Sequence, residues 1–458
     1  MKSLLIILLI AIIIDNYCLT LEQIHLSLGT NETEMIVTWT IPEQTCPLQQ
    51  QNAKVFYSRN NNSTKQLQSS IAEMESFKDL DIKYCTYRAL LNLLKPNTTY
   101  FYWIEQGKNR SDIYEFKTLP IGNEWLPRFA IYGDLGYVND QSLPYLKKDV
   151  EQNLFDAIFH VGDFAYDLCS ENGWCGHNFM RTIEPIASKV PYMTCPGNHE
   201  EFNNFSHYDS RFSMIGDRFD NNDHLMQNIS LNKRLNNHYH SMNIGPIHII
   251  MFSTEYYYYT EYGWQQIEQQ YRWLEKDLKR ANENRHQQPW IIVMGHRPLY
   301  CLKMGDDSCD HHTMERKEIR QGIRMHRRPN SPRQYGLEDL FFKYGVDIQF
   351  YGHEHFYARL DPIYNYTILN GKHSKNPYDH PEGPIHITTG SAGNLEFHPP
   401  FNQLKNWVSC HFLDYGYTRL LMIDKYHIRL QQISDDQNGE ILDEINIFKS
   451  QPQPQWML

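Results

Sequence analysis

Apolar and polar positions change their period part-way along the chain. Between residues 21 and 120 they alternate in short runs: Met35, Val37 and Trp39 interleave with Ile36, Thr38 and Thr40, and residues 100–104 alternate again. A period of two, with turn residues between the runs, predicts short β-strands. After Pro120 the apolar residues instead form unbroken blocks of strand length, at 129–132, 157–161, 247–252, 290–294, 348–351 and 385–388. The stretches between them are long enough for helices, and one helix is directly legible. Trp264, Ile267, Tyr271, Leu274 and Leu278 step by three, four, three and four, which makes a single apolar stripe with charged residues elsewhere. Continuous apolar strands interleaved with helices predict an α/β region whose strands are buried on both faces.

A chain of 458 residues exceeds what one core normally holds. The change of period supplies the division: an all-β domain over 21–120 and an α/β domain over 121–458. Leu94, Pro96, Thr98 and Tyr100 resemble the L-x-P-x-T-x-Y signature of fibronectin type III domains, whose tyrosine closes a corner hydrogen bond. That resemblance implies a β-sandwich of ~100 residues. It contains no cluster of titratable residues that looks catalytic and reads as a packing or interaction module. Ahead of it, Lys2, the apolar run 4–14 and a more polar stretch to Thr20 have the layout of a secretory signal peptide over residues 1–20. The run is too short for a membrane span, which needs ~20 residues. Residues 451–458 lack the hydrophobic tail of a lipid-anchor signal, so no stable membrane anchor is expected.

Cysteine usage fits export. Setting Cys18 aside leaves eight of the nine cysteines, an even set suited to an oxidising compartment, with Cys46–Cys85, Cys169–Cys175 and Cys301–Cys309 as expected pairs. Asn-x-Ser/Thr acceptors stand at Asn31, Asn61, Asn62, Asn97, Asn109, Asn204, Asn228 and Asn365. The net charge of -11 argues against nucleic acid as a partner. The locally basic run 316–328 reads as a solvated face or the rim of a substrate loop.

The chemistry sits at the ends of the apolar blocks. Gly133-Asp134 follows the block at 129–132, Gly162-Asp163 the block at 157–161, and Gly197-Asn198-His199-Glu200 the stretch 190–195. Gly295-His296 follows 290–294, and Gly352-His353-Glu354-His355 follows 348–351. In α/β sheets ligands bind beyond the carboxyl ends of the strands, so these residues can converge on one point. One Gly-Asp or Gly-His alone is an ordinary turn; five in order at five strand ends are not. Mixed carboxylate, amide and imidazole donors suit iron, zinc or manganese over thiolate-selected metals. The set is larger than one ion needs, whereas two ions ~3.5–4 Å apart and sharing a carboxylate would use all of it. In an extended segment His353 and His355 would point the same way, one toward each ion.

These blocks, Gly133-Asp134-Leu135-Gly136, Gly162-Asp163-Phe164-Ala165-Tyr166, Gly197 to Glu200, Val293-Met294-Gly295-His296 and Gly352 to His355, resemble the five ordered motifs of the purple acid phosphatases. The resemblance runs from about residue 21 to the C-terminal strands, because the larger members also carry a fibronectin-like sandwich. It implies an α/β metallophosphoesterase sandwich, two mixed sheets flanked by helices, preceded by the all-β sandwich. It places Asp134, Tyr166 and His355 on a ferric ion, and Asn198, His296 and His353 on a divalent ion (iron, zinc or manganese), with Asp163 bridging. Tyr166 is the discriminating residue, since related metallophosphoesterases lack the phenolate that colours this family. The resemblance also gives His199 a role in phosphate binding and His312 a substrate contact and general-acid role, while His311 occupies a position that varies in the family. The implied activity is hydrolysis of small phosphomonoesters by a metal-bound hydroxide, in a secreted or lysosomal acid phosphatase. Two alternatives remain: a phosphodiesterase on the same scaffold, and a binding protein whose metal site is inert. A complete ligand set argues against the second.

Overall fold

The computed structural model describes residues 21–42, 52–60, 67–79, 81–216, 230–302, 317–324, 331–369, 376–396 and 405–449. The N-terminal region is an antiparallel β-sandwich. One sheet runs in the order Glu22–Leu28, Met35–Pro42, Ile82–Leu91, Glu73–Asp79, and the other is built on Gln68–Ile71, Ala53–Ser58 and Thr99–Gln106. The corner tyrosine is in place: the Tyr100 hydroxyl accepts a hydrogen bond from the Lys95 backbone N–H at 2.9 Å.

Alternation in Met35–Pro42 predicts one wet face, yet both faces are buried. The cover comes from the larger domain. Ile36 packs with Ile215 and Leu231, and the Thr38 and Ser213 hydroxyls lie 2.8 Å apart. Arg88, with no exposed side-chain surface, completes this contact. Its Nε donates to Ser213 Oγ at 2.8 Å, its Nη2 to the Ser210 carbonyl at 2.8 Å, and its Nη1 to Glu75 at 2.5 Å. Removing it strands buried acceptors, each worth about 1–3 kcal/mol. Arg88→Met is therefore expected to destabilise the whole chain by about 3 kcal/mol, read as a lower melting temperature. An unchanged melting temperature would show that the contact between sandwich and domain carries little stability.

The larger domain stacks two mixed sheets. The first contains β1 (Arg128–Tyr132), β2 (Ala157–Val161) and β3 (Tyr192–Cys195), parallel to one another, extended on the β1 side by three C-terminal antiparallel strands between Gly416 and Phe448. The second contains β4 (Ile247–Met251), β5 (Trp290–Met294), β6 (Ile348–Tyr351) and β7 (Ile385–Thr389), again parallel. Every residue of β2, β4, β5, β6 and β7 is buried, as the unbroken apolar blocks require. Helices Leu143–Glu151 and Trp174–Ala187 connect the strands of the first sheet, and Gln265–Glu283 joins β4 to β5, burying Ile267, Leu274 and Leu278. No helix among the described residues is long and apolar enough to cross a membrane.

One expected disulfide is absent. Cys169 and Cys175 are free thiols, as are Cys195 and Cys410. Turns at Glu171, Asn172 and Gly173, all with positive φ, carry the chain from Cys169 into the helix beginning at Trp174, and there the Cys175 thiol lies 3.4 Å from the Tyr137 hydroxyl. Cys85 and Cys301 are disulfide-bonded, and the cysteines expected to pair with them, Cys46 and Cys309, lie outside the described residues.

Candidate binuclear metal centre

The carboxyl ends of β1, β2, β3, β5 and β6 meet at one place, and the loops leaving them are strained. Asp134, Asp163, Tyr166, Asp167 and His353 all adopt positive φ, between 53° and 78°. Such backbone costs of order 1–3 kcal/mol per residue and persists where surrounding structure over-determines it, commonly at functional sites. Two glycines make the crowding possible. A Cβ on Gly197 would sit 2.2 Å from Asp163 Oδ1, and one on Gly162, itself at φ +90°, would sit 2.6 Å from His296 Nδ1.

The side chains form two clusters that share one residue. Asp163, His296 and His353 make one and Asp134, Asp163 and His355 the other, each with its donor atoms within 4.8 Å of one another. In the first, His296 Nε2 is 3.1 Å from Asp163 Oδ2, 3.1 Å from Asn198 Oδ1 and 3.2 Å from His353 Nδ1. In the second, His355 Nε2 is 3.2 Å from both Asp134 Oδ1 and the Tyr166 hydroxyl. All seven candidate ligand residues lie together, Asn198 beside His296 in the first group and Tyr166 beside His355 in the second. His353 arrives differently from the extended-segment reading. β6 ends at Tyr351, His353 is left-handed at φ +66°, and its N–H donates to Asp134 Oδ2 at 2.9 Å. A turn, then, and not strand alternation, aims the two histidines inward.

The surroundings set the electrostatics. His296 Nδ1 donates to the Val161 carbonyl at 2.8 Å, which turns Nε2 toward the cluster. Burial lowers the basicity of His296, but the Asp163 carboxylate outweighs it and pushes the pKa up to about 9. Burial holds Asp134 above the usual carboxylate range, whereas at Asp163 the imidazoles of His296 and His199 overcome burial and hold it well below. Burial, reinforced by Asp134 and Asp163, keeps the Tyr166 phenol neutral unless a cation intervenes. Two buried carboxylates, an amide, three imidazoles and a phenol facing inward are a donor set for hard or borderline cations.

His199 stands at the mouth. Its N–H donates to Asp163 Oδ1 at 3.0 Å and its Nδ1 lies 2.9 Å from Asp167 Oδ1, while its Nε2 faces Glu396 at 3.6 Å and Asp163 Oδ2 at 4.0 Å. Burial lowers its basicity, and Asp163 with Asp167 outweighs that, pushing the pKa up to about 10. Behind it, Glu200 accepts the backbone N–H groups of Asp163, Phe164 and Gly197 at 2.8–3.0 Å and holds the Asp163 turn in shape. His311 and His312 lie outside the described residues. Three residues of the site escaped sequence reasoning. Asp167 follows Tyr166 directly, and that adjacency was a usable signal. Glu396, whose carboxylate is 3.6 Å from His199 and 3.7 Å from His355, comes from a distant loop with no signal at all. Arg297 follows His296 and reaches His353 with Nη1 at 3.2 Å from Nε2.

Known proteins resemble this chain in sequence and in fold. The family model described as calcineurin-like phosphoesterase matches residues 127–357, the N-terminal domain of purple acid phosphatases matches 21–118, and an iron/zinc purple acid phosphatase-like C-terminal model matches 383–444. Human acid phosphatase type 7 is 42% identical over 93% of this chain and 91% of its own length. The chain belongs to the purple acid phosphatase family. As a member it is a metallophosphoesterase hydrolase. Acid phosphatase type 7 of Danio rerio is 41% identical over 94% of this chain and 92% of its own length. The solved purple acid phosphatase from yellow lupin seeds superposes with a TM-score of 0.73 at 24% identity, covering 94% of this chain and 75% of that one, a likeness of fold. Family membership alone does not guarantee activity, because a relative from Arabidopsis thaliana, 30% identical over 79% of this chain and 57% of its own length, is named a probable inactive purple acid phosphatase. The ligand set of the individual chain decides the matter.

Proposed function

We propose that this purple acid phosphatase is an active, secreted or lysosomal enzyme that hydrolyses small phosphomonoesters, with residues 1–20 as its signal peptide, 21–120 its sandwich and 121–458 its catalytic domain. The observation that carries the reading is Asp163, a member of both donor clusters and so positioned to bridge two ions. Asp134, Tyr166 and His355 would hold a ferric ion, and Asn198, His296 and His353 a divalent one, iron, zinc or manganese. Bound there, the pair would supply Lewis acidity and a lowered water pKa, the requirements for hydrolysis below neutral pH.

The protein's own groups do the rest. His199, oriented through Nδ1 by Asp167, presents Nε2 to the phosphoryl oxygens, where charge develops. Glu200 fixes the backbone turn from which the Asp163 carboxylate projects. His312 would supply the proton that the departing alkoxide needs, and a protonated imidazole there sets an acidic optimum.

The test is elemental analysis of purified protein alongside hydrolysis of p-nitrophenyl phosphate and its bis ester. About two ions per chain and preference for the monoester support the reading. Preference for the diester would move the protein to phosphodiesterase chemistry, and well under two ions with no turnover to an inert site. His312→Ala adds a sharper measurement. Turnover should fall most for alkyl phosphates, by roughly 10²–10⁴-fold, and much less for p-nitrophenyl phosphate, whose leaving group needs little protonation. An equal loss on both substrates would assign His312 to phosphate binding instead.

A further inference from the structure

Beside the divalent-ion ligands lies a buried ion pair that the proposed chemistry does not use. Arg297 is only 6% exposed and Glu255 not at all. Arg297 Nε donates to both Glu255 oxygens, at 2.8 and 3.1 Å, and the guanidinium stacks 4.3 Å from the Tyr258 ring centroid. The Arg297 N–H also donates to Thr254 Oγ1 at 2.9 Å, and that hydroxyl donates to Glu255 at 2.8 Å. The pair is therefore held rigidly against the segment after β4.

Its orientation relative to the site is the informative feature. Arg297 Nη1 is 3.2 Å from His353 Nε2, while His353 Nδ1, on the other side of the ring, faces His296 Nε2 at 3.2 Å. Outward from the donor cluster, the order is His353, guanidinium, carboxylate. The positive end of the pair is the nearer one, in a place where water screens little. A fixed cation next to an imidazole that must hold another cation opposes binding, and a fixed anion behind it partly restores binding.

We propose that the Glu255–Arg297 pair tunes the affinity of the divalent position through its fixed charges, Arg297 loosening the ion and Glu255 tightening it. The tuning rests on the ligand assignment proposed above. A pair that merely staples the segment after β4 to the His296 loop predicts something different: any disruption would disorder the ligands and weaken binding.

The two accounts differ in sign, which makes the experiment decisive. Zinc affinity is measured by chelator competition at one fixed pH for the wild type, Glu255→Gln and the double variant Glu255→Gln/Arg297→Met, with melting temperatures in parallel. Glu255→Gln is close to isosteric and leaves the cation uncompensated, so zinc should bind about tenfold more weakly. The double variant removes both charges without burying either alone, and zinc should bind several-fold more tightly than to the wild type. Affinity in the double variant equal to or below that of the wild type overturns the proposal, as does tighter binding in Glu255→Gln. Fewer than two ions per chain in the wild type would overturn the ligand assignment itself, and this proposal with it. A wild type with both ions but wrong-signed shifts would overturn only the tuning.

Discussion

Asp163→Asn is expected to lower turnover by at least about 10³-fold, beyond the roughly 10–100-fold that loss of an outer support of a metal site typically costs. The reason is position. Asp163 belongs to both donor clusters, so one substitution withdraws a negative charge from each. A unit-charge pair at 4 Å is worth about 4 kcal/mol at an effective dielectric of 20, and the bridging carboxylate would face two cations. The divalent side already includes a neutral amide from Asn198. In the variant that side would hold an ion through uncharged donors alone, and metal content should fall there first. The change is otherwise mild. Asparagine keeps the volume that the Gly197 backbone closely surrounds, its Oδ1 can still accept from the His199 N–H, and Glu200 still ties down the turn. Circular dichroism and melting temperature should therefore stay near wild type while activity and bound metal collapse together. Near wild-type turnover with both ions retained would remove Asp163 from the bridging role.

The contrast between what the chain announces and what it conceals follows from range. Strands β1, β2, β5 and β6 were legible because an unbroken apolar block is a local signal, and their ends were legible because glycine and a metal-competent residue follow immediately. The tertiary cover over Met35–Pro42 was not, since alternation describes one strand and says nothing of the segment around Ser213 that arrives from the other domain. The same limit explains His353. Its spacing from His355 suggested extended alternation, whereas the hydrogen bond from its N–H to Asp134, far away in sequence, accompanies a left-handed turn. Glu396 reaches His199 and His355 for a reason no local window contains. Cys169 and Cys175 err in the opposite direction: their closeness in sequence suggested a bond, but turns and a helix start separate the roles of the two thiols.

Tyr166 gives the second large effect, a spectroscopic one. Its hydroxyl lies 3.2 Å from His355 Nε2 and 3.4 Å from Asp134 Oδ1, inside the cluster assigned to the ferric ion. Burial and two carboxylates hold the phenol neutral, so only a strongly charged cation in direct contact can make it a phenolate. With a ferric ion bound, charge transfer from phenolate to metal should colour concentrated protein pink to violet, a band no ordinary buried tyrosine produces. Tyr166→Phe preserves the ring that lies against Gly136 and packs 4.6 Å from the His199 ring, and deletes only the oxygen. The band should therefore vanish entirely, while Asp134, Asp163 and His355 still hold iron and some hydrolysis persists. Reduction of the ferric ion also bleaches the colour, so the spectra are taken on oxidised protein with iron measured on the same sample. A colourless wild type with its full iron, or an unchanged band in Tyr166→Phe, would show that the phenol is not a ligand and that the cluster works with carboxylate and imidazole alone.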